Sequence, residues 1–355
     1  MSGHRVLMSL DEAGSRLVVR FGLRWSAARS TPERPGQSSK TPWDAWRGPP
    51  KRSIDVFLEG RCYPSNASRT QGEARLSLAG GDRRVRVLGR RFAVTTGGVT
   101  TFSAPEPFAA VALTMSNAYG GTSAELSYPR NPVGKGFCLA DDGRQTVELP
   151  NVEEVTDLLE PADMRRPYEA WPQLPVPALF VPILPVVFPR CAMFGFADFG
   201  AVLDSSVAEV RNGDIAAPGE SPRADAGLER WQEAPRRSRI ERLEPGAPIF
   251  VSGCLPGGRE WHARAPRTPR VSLLVDGRRD LLDVRAQAIR LRPEADEISV
   301  SYAFEHPLPR AFIEGIHARI PISVEVEGER FEYPATPPVL SQVRSNKTEP
   351  LGGEP

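Results

Sequence analysis

Histidine, cysteine and lysine are all scarce in this 355-residue chain. It has four histidines and four cysteines, and only four of its 45 basic residues are lysine (Lys40, Lys51, Lys135 and Lys347). The cysteines Cys62, Cys138, Cys191 and Cys254 stand more than fifty positions apart. That spacing supplies neither a local disulfide framework nor a Cys-x-x-Cys metal knuckle. Their apolar contexts predict buried free thiols in a cytoplasmic protein. No His-Glu-x-x-His pair and no Gly-x-Ser-x-Gly elbow occurs, which excludes the commonest zinc-protease and strand-to-helix nucleophile patterns. A formal net charge of +1 argues against a dedicated nucleic-acid binder. The most apolar stretch, residues 174–200, carries Pro175, Pro177, Pro182, Pro185 and Pro189. A membrane helix needs about 20 apolar residues and does not accommodate so many prolines. No apolar core of signal-peptide length follows the start. The expectation is therefore no membrane insertion, no secretory signal and a cytoplasmic location.

Proline is abundant, with 36 residues, about twice its usual share of roughly 5%. Each interior proline removes a backbone donor, so a helical bundle is disfavoured. Strand patterns dominate instead. Leu17, Val19, Phe21 and Leu23 alternate with Val18, Arg20 and Gly22. Further strands are expected at 54–63, 74–78, 83–88, 109–115, 249–254, 270–276, 281–284, 289–291 and 298–304. Gly80-Gly81-Asp82 and Asp141-Asp142-Gly143 read as turns. Residues 27–50 read as a long polar loop, 224–233 as a short helix and 341–355 as a disordered tail. The fold expected is mainly β, with two packed β-sandwich-like subdomains and long irregular connections. An N-terminal β domain spans 1–160 and a Pro-rich connector spans 161–245. A C-terminal β domain spans 246–335, followed by a tail over 336–355.

Charge is balanced overall but not locally. Between Arg61 and Arg91, eight arginines face only Glu73 and Asp82; between Asp141 and Asp163, eight acids face only Arg144. Such patches suit docking to charged protein surfaces, or they face each other within the fold. Candidate chemistry is weak. Asn131-Pro132-Val133-Gly134-Lys135-Gly136 departs from a phosphate loop, because Lys135 is not followed by Ser or Thr. Glu153, Glu154 and Asp157 supply carboxylates of the type used in glycoside hydrolysis, yet nothing positions a sugar beside them. A hydrolase with a dispersed triad needs His262 or His306 beside a Ser and an Asp. A β-sandwich carbohydrate-binding module, with exposed Trp and Asn/Asp loops, is the alternative binding function.

The order of the turn motifs carries more information. Lys51-x-x-x-Asp55-Val56 is followed by Val87-Leu88-Gly89-Arg90-Arg91-Phe92 and Pro107-Phe108. Asn117-Ala118-Tyr119-Gly120-Gly121 and the segment from Tyr128 through Asn131, Pro132, Gly134, Gly136 and Phe137 come next. Leu149-Pro150-Asn151-Val152-Glu153 closes the series. This ordered set resembles the domain-of-unknown-function 2169 family, encoded beside VgrG spike and PAAR tip genes in bacterial type VI secretion clusters. Phe92 stands where that family usually has Trp, and the central segment lacks its usual tryptophans. The resemblance implies an adaptor or chaperone that helps load a toxic effector onto the VgrG/PAAR spike. It implies no catalytic residue, no cofactor and no metal, and partners that are the effector toxin, VgrG or PAAR protein. The motif residues are expected to maintain the fold. The run Leu179, Phe180, Val181, Pro182, Ile183 and Leu184 either faces a partner or threads the protein's own core.

Overall fold

A computed structural model of the chain describes residues 6–10, 16–26, 53–123, 126–128, 131–139, 145–178, 180, 210–211, 214–215, 234, 236–275, 278–307, 322–326 and 329–332. The expected 27–50 loop, Asp141-Asp142-Gly143 turn, 224–233 helix and 341–355 tail lie outside those residues. Among the described residues the protein is mainly β, with 52% strand, 9% helix and no barrel. The longest helical element among the described residues is the six-residue 3-10 turn Tyr168–Gln173.

One compact unit comprises Met1–Ser9, Val18–Thr268 and Val284–Glu305. It is built around two large sheets. The first runs in the order Val6–Leu10, Arg16–Ser26, Glu297–Pro307, Arg285–Arg292, Ile54–Leu58 and Arg239–Ile240. Ile54–Leu58 is buried at all five positions and pairs parallel with Arg285–Arg292. A strand covered on both faces needs a near-continuous apolar run, as Ile-Asp-Val-Phe-Leu supplies apart from Asp55. The second sheet runs Val152–Glu154, Gly81–Leu88, Gln71–Leu78, Pro248–Ser252 and Trp261–Arg264, all antiparallel. Its strands alternate: Ala74, Leu76 and Leu78 point inward while Glu73, Arg75 and Ser77 do not. A smaller sheet, Gln145–Glu148, Phe92–Thr96 and Val99–Phe102, adjoins the motif region in sequence.

The other compact unit comprises Leu10–Leu17, Pro269–Asp283 and His306–Pro355. Its sheet runs Arg278–Leu282, Val271–Val275, Ile322–Val326 and Glu329–Glu332, with every pair antiparallel. Val271, Leu273, Val324 and Val326 are buried in it.

These units correct the expected division at 160 and 246. Strand Gln71–Leu78 pairs with Pro248–Ser252, and Ile54–Leu58 lies between Arg285–Arg292 and Arg239–Ile240. The two halves of the sequence therefore share sheets, which a period-two pattern along the chain does not disclose. The first hairpin turn is also one residue earlier than expected. Leu78 pairs with Gly81, so the turn is Ala79–Gly80, both at positive φ. The expected strand at 109–115 reduces to Val111–Ala112, followed by the 3-10 turn Met115–Asn117.

Candidate functional site

The motif residues from Asn117 onward converge on one junction, while Asp55 lies apart in the Ile54–Leu58 strand. Tyr119–Gly120 pairs parallel with Lys135–Gly136. Asn131, fully buried, donates from Nδ2 to the carbonyls of Met115 at 2.8 Å and Tyr119 at 3.1 Å. Its backbone carbonyl accepts the N–H of Gly121 at 2.8 Å. Asn131 Oδ1 receives no donor among the described residues. Pro132 and Val133 form the turn that returns the chain to Gly134, and Thr122 Oγ1 reaches the Pro132 carbonyl at 3.4 Å.

The glycines permit backbone approaches that no side chain allows. A Cβ on Gly120 would stand 2.1 Å from the Asn131 carbonyl oxygen, and one on Gly134 would stand 2.6 Å from the Ala118 carbonyl oxygen. Gly136 similarly faces Pro150, and Gly89 faces the Glu106 carbonyl. Asn117 donates from Nδ2 to the Ala112 carbonyl at 2.8 Å, and its own carbonyl accepts the Asn151 N–H at 2.9 Å. Asn151 then donates from Nδ2 to the Leu88 carbonyl at 2.9 Å and accepts the Leu88 N–H on its carbonyl. These amides satisfy backbone groups that irregular chain would otherwise bury unpaired.

Aromatic side chains close the junction from within. Tyr119 meets Tyr128 edge-on at 5.0 Å, Tyr128 stacks on Phe137 at 5.5 Å, and Phe137 meets Tyr168 at 6.2 Å. The Tyr128 hydroxyl donates to the Pro175 carbonyl at 3.0 Å. Leu149, Leu159, Met164 and Leu174 complete this core. Burial pushes the Tyr119 phenol well above its usual range.

The charged residues are also engaged. Arg91 pairs with Glu153, and Arg83 pairs with Glu154 at 2.5 Å; all four are buried. Burial raises the Glu153 carboxyl above the ordinary range, and the Arg91 charge offsets part of that rise. The arginine-rich and acid-rich stretches thus meet inside the fold, as the Val152–Glu154 strand docks on Gly81–Leu88. Asp55 is fully buried, 3.9 Å from Arg239. Lys135 binds Glu148 at 3.0 Å, so its ammonium serves an internal pair. Asp157 accepts the Val176 N–H at 2.7 Å. The carboxylates at 153, 154 and 157 all hold structure.

Phe180 is 1% exposed, lies under the Arg83 guanidinium at 4.6 Å and accepts the Leu58 N–H on its carbonyl at 2.9 Å. Its side chain belongs to the protein's own core and not to a partner-facing surface. Leu179, Val181, Ile183 and Leu184 lie outside the described residues. Trp25 and Trp261 are buried, so neither contributes to a carbohydrate platform; Trp43, Trp46 and Trp231 lie outside the described residues. His262 is exposed beside Glu260 and packs on Phe250.

Sequence reasoning missed the buried arginines. Arg290 pairs with Glu59, which also binds Arg292 at 2.8 Å, and Arg292 reaches Glu297 at 3.0 Å. A signal existed: Arg83 falls in phase with Val85 and Val87 on a period-two strand, so it shares their inward face. Among the described residues no group of His, Cys, Asp and Glu is placed to hold a metal ion, and no helix is long and apolar enough to cross a membrane.

The fold and junction define a mainly β protein whose glycine, asparagine and tyrosine motifs hold irregular backbone against paired strands. The chain belongs to the family described as an uncharacterized protein conserved in bacteria, DUF2169, whose model matches residues 5–303. No curated protein and no solved structure matched the chain.

Proposed function

We propose that this protein is a non-catalytic adaptor or chaperone, acting in the bacterial cytoplasm. It helps load a toxic effector onto the VgrG/PAAR spike of a type VI secretion system. The observation that carries the reading is family membership across residues 5–303, joined to the ordered motifs whose resemblance implies the secretion role. The junction is consistent with it. Asn117, Asn131 and Asn151 are occupied by backbone partners, and Glu153, Glu154 and Lys135 by internal ion pairs. These side chains build a scaffold, and a scaffold is what an adaptor presents to its partners.

Co-expression with a type VI toxin, VgrG or PAAR protein encoded by the neighbouring genes of its own genome tests the proposal. The expected result is co-elution with one of them, and toxin that is soluble only when this chain is present. If no neighbour binds it or depends on it for solubility or delivery, the adaptor reading fails.

A further inference from the structure

Two buried thiols that the junction does not use lie on chain segments that meet, and both are free. Cys62 ends the Arg61–Cys62 strand, and Cys254 follows the Pro248–Ser252 strand. They are 0% and 1% exposed. The Tyr63 N–H donates to the Gly253 carbonyl at 2.8 Å, which brings the two chain segments together one residue from each cysteine. Both segments also rest on the same short stretch of the Gln71–Leu78 strand. A Cβ on Gly72 would stand 3.2 Å from Cys62 Sγ, and one on Gly253 would stand 1.9 Å from the Glu73 carbonyl oxygen. Burial pushes the Cys62 thiol up to about 12. Cys254 is raised by burial and then by the charge of Cys62.

We propose that Cys62 and Cys254 form a reversible internal disulfide, a latch between the ends of the Arg61–Cys62 and Pro248–Ser252 strands. The co-reactant is a small-molecule disulfide of the glutathione class. One cysteine thiolate attacks it, releasing one glutathione thiolate and leaving a mixed disulfide. The second cysteine thiolate then displaces the second glutathione. Two electrons pass to the glutathione disulfide, two protons leave the protein, and one S–S bond replaces two S–H bonds. Protonated, buried thiols react only when the local structure opens, so the latch closes during folding or on local opening. The loop between positions 62 and 254 is long, and a long closed loop restricts the unfolded chain strongly.

The full chain carrying Cys138→Ser and Cys191→Ser retains only the pair. It is refolded from denaturant in a glutathione disulfide/glutathione buffer, alkylated, and digested without reductant for mass spectrometry. The expected product is a monomer lighter than the reduced protein by about 2 Da, the mass of two hydrogens. A peptide joining Cys62 to Cys254 disappears on reduction, and Tm is higher by roughly 5 °C in the oxidised form. Two alkylated thiols, glutathione adducts alone, bridges only between chains, or an oxidised form with unchanged or lower Tm would each overturn the latch. The unaltered chain is treated in parallel. If the double variant does not fold, the same cross-linked peptide is sought among all four cysteines, and its absence there overturns the proposal.

Discussion

Gly120 and Gly97 both hold positive φ, at 148° and 57°, but their surroundings are opposite. A Cβ on Gly120 would be driven into the Asn131 carbonyl, whereas one on Gly97 meets nothing within 4 Å. Gly97→Ala therefore bears only the left-handed backbone penalty, about 1 kcal/mol. Gly120→Ala adds overpacking against backbone that cannot swing aside, for a total of about 3 kcal/mol. Urea unfolding midpoints of the two variants check this; equal shifts would mean that the junction gives way easily. The Arg91–Glu153 pair offers a second test at this scale. Removing one partner of a buried pair costs about 3–5 kcal/mol. In Arg91→Met the Glu153 carboxyl loses the charge that offsets its burial, so its folded-state pKa rises further. A carboxyl whose folded pKa lies above its unfolded value contributes stability below the unfolded value and loses it as pH rises through the folded one. The stability gap between the native protein and Arg91→Met should therefore be narrowest near pH 4 and widen toward neutrality. Unfolding free energies measured across that range check it, and a gap that narrows with rising pH would refute it.

Strands with a strong period-two pattern were legible at the level of elements. Gln71–Leu78, Gly81–Leu88 and Glu297–Pro307 fall where their alternating residues predict, give or take a few positions. The hairpin Phe92–Thr96 to Val99–Phe102 was missed, although its Gly97-Gly98 turn sits between β-branched runs. Strand partners were not legible, because pairing across some two hundred residues leaves no mark on either strand. The motif turns read from sequence as structural features, and their convergence depends on the parallel pairing of Tyr119–Gly120 with Lys135–Gly136, which no local pattern discloses. The Pro-rich segment shows the same limit: apolarity alone does not separate a core strap from an interface. The contacts of Phe180 with Leu58 and Arg83 place it in the core. Phe180→Ala should then destabilise the protein by about 3–5 kcal/mol. An unchanged melting temperature together with lost partner binding would instead assign this side chain to an interface.

At the scale of the whole molecule, the arginine-rich and acid-rich segments meet in the buried Arg83–Glu154 and Arg91–Glu153 pairs, and the sheets draw their strands from both halves of the sequence. Ile54–Leu58 shows how far that sharing goes. Both of its neighbours, Arg285–Arg292 and Arg239–Ile240, come from beyond residue 238. Gln71–Leu78 likewise loses Pro248–Ser252 if the chain stops early. A fragment of residues 1–160, which the strand pattern suggests as a domain, would leave Ile54–Leu58 without a partner strand among the described residues. It would also expose the Arg75–Leu78 edge of Gln71–Leu78, and such unpaired apolar edges aggregate. The fragment should therefore be insoluble, or should melt without a cooperative transition in circular dichroism. Co-expression with residues 161–355 should restore a soluble complex that elutes as one species, because the second fragment returns all three missing neighbours. A cooperative transition in the isolated 1–160 fragment would mean that its strands close a core without the C-terminal strands, and that the shared sheets do not hold the two halves together.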